Sequence, residues 1–142
     1  MRFLIIPKPD ASQPKPEASG ALDERVFAAY MKFNEDMTRA GVLIASEGLH
    51  PEGAHARVVI SRGRRTPLDG PFTEAKELIG GFYLIEVKSK EEAIEWARRC
   101  PVGSGGDEVL EIHQMTGLAD LPPRLREIIA DVAPTWSSRL WR

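Results

Sequence analysis

The side chains that can do chemistry gather between residues 47 and 77. Asp69 opens the turn Asp69-Gly70-Pro71, and His50 sits in Gly48-Leu49-His50-Pro51. Glu47, Glu74 and Lys76 are charged neighbours in sequence. A carboxylate in a cleft, stripped of part of its water, rises in pKa and becomes a usable acid or base. Histidine moves protons near neutral pH without such help. On that chemistry Asp69 and His50 are the candidate catalytic residues. Glu47, Glu74 and Lys76 are the candidate substrate-binding residues, with Lys76 suited to an anionic group.

Each of these residues also has a plain structural reading. Asp begins turns by accepting a nearby backbone amide, Gly permits positive φ, and Pro fixes the exit. A lone loop histidine more commonly serves as a surface or hydrogen-bonding group. The cluster Glu74, Lys76, Glu77 is the composition of a solvated face. Gly80-Gly81, just beyond it, lets the backbone approach a ligand or another chain closely. His55 and His113 are weaker candidates. By strand alternation His113 faces opposite Ile112, toward solvent or the edge of the core. The histidines with Glu47 and Glu111 lack the tight spacing of a metal site, so no metal is expected. Cys100 ends a helix before Pro101 with no flanking site. No phosphate-binding loop, dinucleotide fingerprint or nucleophile elbow is present, and no cofactor is expected.

The elements that must position these residues follow from periodicity. Arg2–Ile6 reads as a buried strand, and residues 7–20, with four prolines, as a surface loop. Val26, Ala29, Tyr30, Phe33 and Met37 recur at helical spacing over residues 23–39, with Gly41 as the terminating cap. Strands follow at 42–46 and 57–63. The segment 64–72 reads as a turn, and 81–87 as a central strand with apolar residues on both faces. Ser89 and Glu92 have capping-box spacing before a helix that places Ala93, Ile94, Trp96 and Ala97 inward. A last strand spans 109–115. A third helix, 120–132, is capped by Asp120 and carries Leu125, Ile128, Ile129 and Val132. Trp136 and Trp141 sit in a tail expected to pack on the domain or on a second copy. The order predicts an α+β, ferredoxin-like sandwich, with helices on one face of an antiparallel sheet. The second apolar face of residues 82–87 then needs a cover, and a homodimer supplies one.

Asp69-Gly70-Pro71-Phe72, then Glu74, Lys76 and Glu77, Gly80-Gly81 and the strand Phe82 to Val87 resemble the DGPF-domain branch of the YCII-related family. Ala40-Gly41-Val42-Leu43, Glu47-Gly48-Leu49-His50-Pro51, Glu92-Ala93, Trp96-Ala97 and Cys100-Pro101 extend the resemblance over about residues 1–115. The segment 116–142 then forms a C-terminal helix and tail on the same domain. The resemblance implies a dimeric α/β-barrel architecture and relatives that act on cyclic or lactone-like metabolites. Some of those relatives are proposed to use a His–Asp pair in a cleft. It also implies an association of the branch with sigma-type transcription factors. In those relatives the histidine lies on the first helix, but residues 23–39 here contain none, so only Asp69 carries over.

At 142 residues the chain is one ordinary domain. With 42% apolar and 28% charged residues it is globular, and the formal net charge of −2 gives no basic field for nucleic acid. One cysteine and an apolar start of only strand length before Pro7 lead to the expectation of a cytoplasmic protein with no membrane span. Three functional classes stay open. One is a cofactor-independent small-molecule-binding protein or acid–base enzyme. The second is a regulatory partner, for example of a sigma-type transcription factor, and the third is a structural dimer.

Overall fold

The computed structural model describes residues 1–9, 24–50, 56–70, 80–101 and 108–140. In chain order they form β1 (Arg2–Pro9), α1 (Glu24–Arg39), β2 (Leu43–Gly48), β3 (Ala56–Ser61), β4 (Arg64–Asp69), β5 (Gly81–Glu86), α2 (Lys90–Arg98), β6 (Glu108–Gln114), α3 (Pro123–Val132) and α4 (Pro134–Leu140). Four strands make one antiparallel sheet in the order β2-β5-β1-β6. Setting aside β3 and β4, which pair only with each other, the chain runs β-α-β-β-α-β. That is the ferredoxin-like arrangement expected from the sequence.

Strand alternation divides the sheet into two faces. Phe3, Ile5, Tyr83 and Ile85 point toward the helices and are buried with Phe33 and Met37 of α1 and Ala93, Trp96 and Ala97 of α2. Phe33 meets Tyr83 edge to face at 5.4 Å between ring centroids and lies 6.3 Å from the Trp96 ring. Such aromatic pairs add to the free energy of burial alone.

Both helices close as their sequences predict. At the end of α1, Gly41 takes φ 69°, its N–H donates to Thr38 O, and Val42 N–H donates to Met37 O. These two bonds make a Schellman ending, which needs the left-handed conformation that glycine adopts freely. At α2, Ser89 Oγ accepts from Glu92 N at 3.1 Å, while the Glu92 carboxylate accepts from Lys88 N at 2.8 Å.

Four expectations are corrected. β1 continues through Pro7 to Pro9 instead of stopping at Ile6. Beyond Ile5 the recorded pairing of β1 is with β6 alone, so the missing proline N–H groups face an unpaired side. Residues 64–69 form strand β4 rather than a turn. The turn is Arg62-Gly63, with φ 51° and 77°, the type I′ signature of a two-residue hairpin. Asp120 does not cap α3. Its carboxylate accepts from Gly117 N at 2.6 Å, closing a 3₁₀ turn at Leu118–Asp120, and α3 starts instead with Pro123 in its first turn. Finally, residues 134–140 are helical rather than an irregular tail.

Candidate functional site

Among the described residues, α1 and α2 pack on one face of the sheet and leave the other uncovered by them, and that other face gathers the polar chemistry. Register sets its rows. Ala45, Leu84, Leu4 and His113 are cross-strand partners in sequence across β2, β5, β1 and β6. One row along, Glu47 opposes Phe82 and Ile6 opposes Glu111. Continuing the β1–β5 register past Ile5 and Tyr83 sets Phe82 beside Ile6. The face is therefore an apolar strip of Leu4, Ile6, Phe82 and Leu84, half-buried, with carboxylates at both sides. Three interstrand spacings separate Glu47 from Glu111, about 14 Å.

The β6 side of this strip carries a connected ionic group. Lys8 Nζ lies 3.0 Å from Glu111 Oε2, and His113 Nε2 lies 3.0 Å from the same oxygen. The hydrogen bond from His113, followed by that from Lys8, holds the Glu111 carboxyl below the usual carboxylate range. A carboxylate on one ring nitrogen orients a histidine and leaves the other nitrogen to exchange a proton. Among the described residues His113 Nδ1 has no hydrogen-bond partner. Lys8 supplies a positive charge beside the pair, so the group can hold an anion and move a proton. At the end of the strip Arg2 donates to Thr116 O at 3.2 Å, tying β1 to the segment after β6.

The residues singled out in the sequence distribute differently. Glu47 lies on the open face, on edge strand β2. His50 follows β2 two residues beyond its end and is exposed. Asp69 is the last residue of β4, opposite Ala56 in the separate hairpin, and is also exposed. Glu74 and Lys76 lie outside the described residues. The Gly81 backbone does approach something closely, and that neighbour is the chain itself. A Cβ there would stand 2.7 Å from Glu47 O, so the glycine lets β2 and β5 close on each other. Sequence reasoning places Lys8 in a loop, weighs Glu111 only as a metal ligand, and ranks His113 as a weaker candidate facing solvent or the edge of the core. The i, i+2 spacing of Glu111 and His113 was the available signal, since it puts both on one strand face.

A second polar group lies on the helix side. Burial pushes the Cys100 thiol up to about 11 and the Tyr30 phenol up to about 12, and it raises Tyr83 as well. These are neutral groups: Cys100 and Tyr83 are buried in the core and Tyr30 packs against it, and the Cys100 thiol donates to Pro101 O at 3.6 Å. No group of three or more His, Cys, Asp or Glu among the described residues could hold a metal ion. No described helix is long and apolar enough to cross a membrane.

Comparison with known proteins places this architecture. The family described as the YCII-related domain matches residues 1–116, and the chain belongs to that family. The match ends just after β6, so the ferredoxin-like unit lies inside it and α3 and α4 lie beyond it. The chain is also similar to an uncharacterized protein of Rhizobium meliloti (strain 1021), at 40% identity over 76 residues. The matched segment is 54% of this chain and 61% of that relative, so the similarity spans about three fifths of the relative's length.

Proposed function

We propose that the chain is a cofactor-independent small-molecule-binding protein able to do acid–base chemistry on the open face of its sheet. We further propose that a homodimer made through that face completes the site. The observation that carries this reading is the ionic group Lys8–Glu111–His113 beside the apolar strip Leu4, Ile6, Phe82, Leu84. A ligand with an apolar ring and an anionic group matches both parts, the ring on the strip and the anion at Lys8. A second subunit would exclude water, which strengthens every charge interaction in the cleft. In this proposal Glu111 orients His113 as the proton carrier and Glu47 closes the opposite side. Asp69 and His50 form the competing acid–base assignment. Both are exposed in one subunit, so that assignment depends on the dimer or a ligand to desolvate them.

A thermal-shift screen of anionic cyclic metabolites tests the reading, because a ligand that prefers the native state raises its melting point. Hits are expected to lose their shift in Lys8→Gln and His113→Gln and to keep it in Asp69→Asn. Hits that vanish only in Asp69→Asn would move the site to the turn. For the dimer, Leu84→Glu is expected to give monomers in analytical ultracentrifugation. A monomeric wild type, or a dimer indifferent to Leu84→Glu, removes the sheet-face assembly.

The regulatory-partner reading has one observation in its favour. Leu125, Ile128 and Val132 of α3 and Trp136 of α4 are exposed, outside the family match. A sigma-type factor bound there would protect Trp136 from fluorescence quenchers, which a co-purification and quenching assay measures.

A further inference from the structure

Glu111 Oε2 is shared by Lys8 Nζ and His113 Nε2, each at 3.0 Å. An ionised carboxylate only accepts, so the hydrogen of the His113 bond sits on Nε2. In the neutral ring the other nitrogen, Nδ1, then carries a lone pair and no hydrogen. An anion meeting that lone pair is repelled. Once protonated, the ring donates at both nitrogens, and Nδ1–H can bond an anion while Nε2–H stays on Glu111. The tautomer that Glu111 selects therefore ties anion binding to a proton.

The charges facing His113 set the same condition. On β1 its cross-strand partner is Leu4, with Arg2 and Ile6 diagonal to it. Glu86 of β5 stands opposite Arg2, and Glu111 is the next residue on the same face of β6. Among the described strands, Arg2, Lys8, Glu86 and Glu111 are the fixed charges around the ring, two positive and two negative, and they cancel. Glu47 is about 14 Å from Glu111, beyond the screening length of about 8 Å at physiological salt. With His113 neutral, the site has no net charge to hold an anion. With His113 protonated, it gains one positive charge.

We propose, resting on the open-face reading, that the site binds its anionic ring ligand only together with one proton, carried on His113 Nδ1. The complex then holds the equivalent of the ligand's conjugate acid. The anion comes from solvent, the proton comes on the imidazole, and the two meet at Nδ1. That proton is also the one His113 can transfer, so binding and acid–base chemistry use the same nitrogen.

Benzoate serves as the probe. Its carboxylate stays ionised from about pH 5.5 upward, so a pH dependence there belongs to the protein. Titration calorimetry of the full wild-type chain, in two buffers of different ionisation enthalpy, counts the protons taken up. Uptake is expected to approach one proton per benzoate on the alkaline side of histidine titration, with Kd rising about tenfold per pH unit. The His113 ring resonances should shift when benzoate is added at about pH 5.5. Glu111→Gln leaves the Lys8 charge uncompensated, so its Kd should rise less steeply with pH. A Kd constant from about pH 5.5 to 8.5 without proton uptake overturns the linkage and leaves the open-face site standing. His113 resonances untouched by benzoate at about pH 5.5 overturn both. Proton uptake retained in His113→Gln overturns the assignment to His113. The calorimetric series uses wild-type protein, so the test survives a variant that misfolds.

Discussion

His113 and Glu111 leave the same face of β6, with Nε2 3.0 Å from Oε2, and Lys8 closes on that oxygen from β1. The folded pKa of Glu111 is therefore depressed. A depressed carboxylate adds stability that is present above its unfolded pKa and lost as pH falls through its folded value. The loss thus belongs to the acid limb of the stability curve, below the ordinary carboxylate range. Carbon-13 NMR of the Glu111 side chain should titrate below a free glutamate. His113→Gln, which removes the largest contributor, should move the midpoint up toward the ordinary value, and Lys8→Gln should move it less. An unchanged midpoint in both variants would mean the group is not assembled in solution.

Gly80 and Gly81 form a pair for which the expected costs of substitution are opposite. A Cβ on Gly81 stands 2.7 Å from Glu47 O and 3.3 Å from Gly48 Cα, both backbone atoms that cannot swing aside. A Cβ on Gly80 meets nothing within 4 Å. Gly81→Ala should cost about 1–3 kcal/mol, the range for overpacking, and loosen the β2–β5 edge. Gly80→Ala should stay within about 0.5 kcal/mol of wild type. Urea denaturation of the two variants checks the contrast, and equal midpoints would contradict it.

The legible parts of the sequence were those where one local signal suffices. Gly41 and Ser89 terminate their helices as read, because each motif is complete within a few residues. Alternation over residues 82–87 shows two apolar faces without saying which meets the helices; the structure buries Tyr83, Ile85 and Val87. The hairpin is half legible: residues 57–63 read as a strand, but Arg62-Gly63 lacks the usual Asn-Gly signature and Pro67 argues against a returning strand. Only an outward-facing edge makes that proline tolerable. The site was less legible. The Lys8–Glu111 pair joins two strands 103 positions apart, and nothing local announces that Lys8, between two prolines, belongs to the sheet. Asp69 attracted attention through its motif, yet its exposure depends on how the hairpin projects, a tertiary outcome.

Ser89→Ala separates cap from core at α2. Ser89 Oγ accepts from Glu92 N at 3.1 Å, one of the otherwise unpaired amides of the first turn. Losing that bond should cost about 1 kcal/mol, and Ser89→Asp should restore most of it. Ile85→Ala, one strand away at 0% exposure, should cost about 2–5 kcal/mol, because it leaves a cavity in the packed interior. Thermal unfolding ranks the variants, and a Ser89→Ala cost equal to that of Ile85→Ala would refute the ordering.

Cys100 is buried just beyond α2, its N–H donating to Ala97 O, and its reactivity reports that packing. Only the thiolate attacks an alkylating reagent, and burial pushes the thiol up to about 11. At pH 8 that leaves about one thiol in a thousand ionised, against about a quarter for an ordinary cysteine near 8.5. Ionisation alone should slow iodoacetamide labelling of native protein by about two hundredfold relative to protein in urea, and steric cover should add to this. Tyr83→Phe keeps the ring against Phe33 but removes the hydroxyl whose hydrogen bond favours the thiolate. Native labelling should therefore fall further in that variant. Mass spectrometry of the alkylated chain follows the rates, and equal rates in the native and denatured states would show that the thiol is not held beneath the helix.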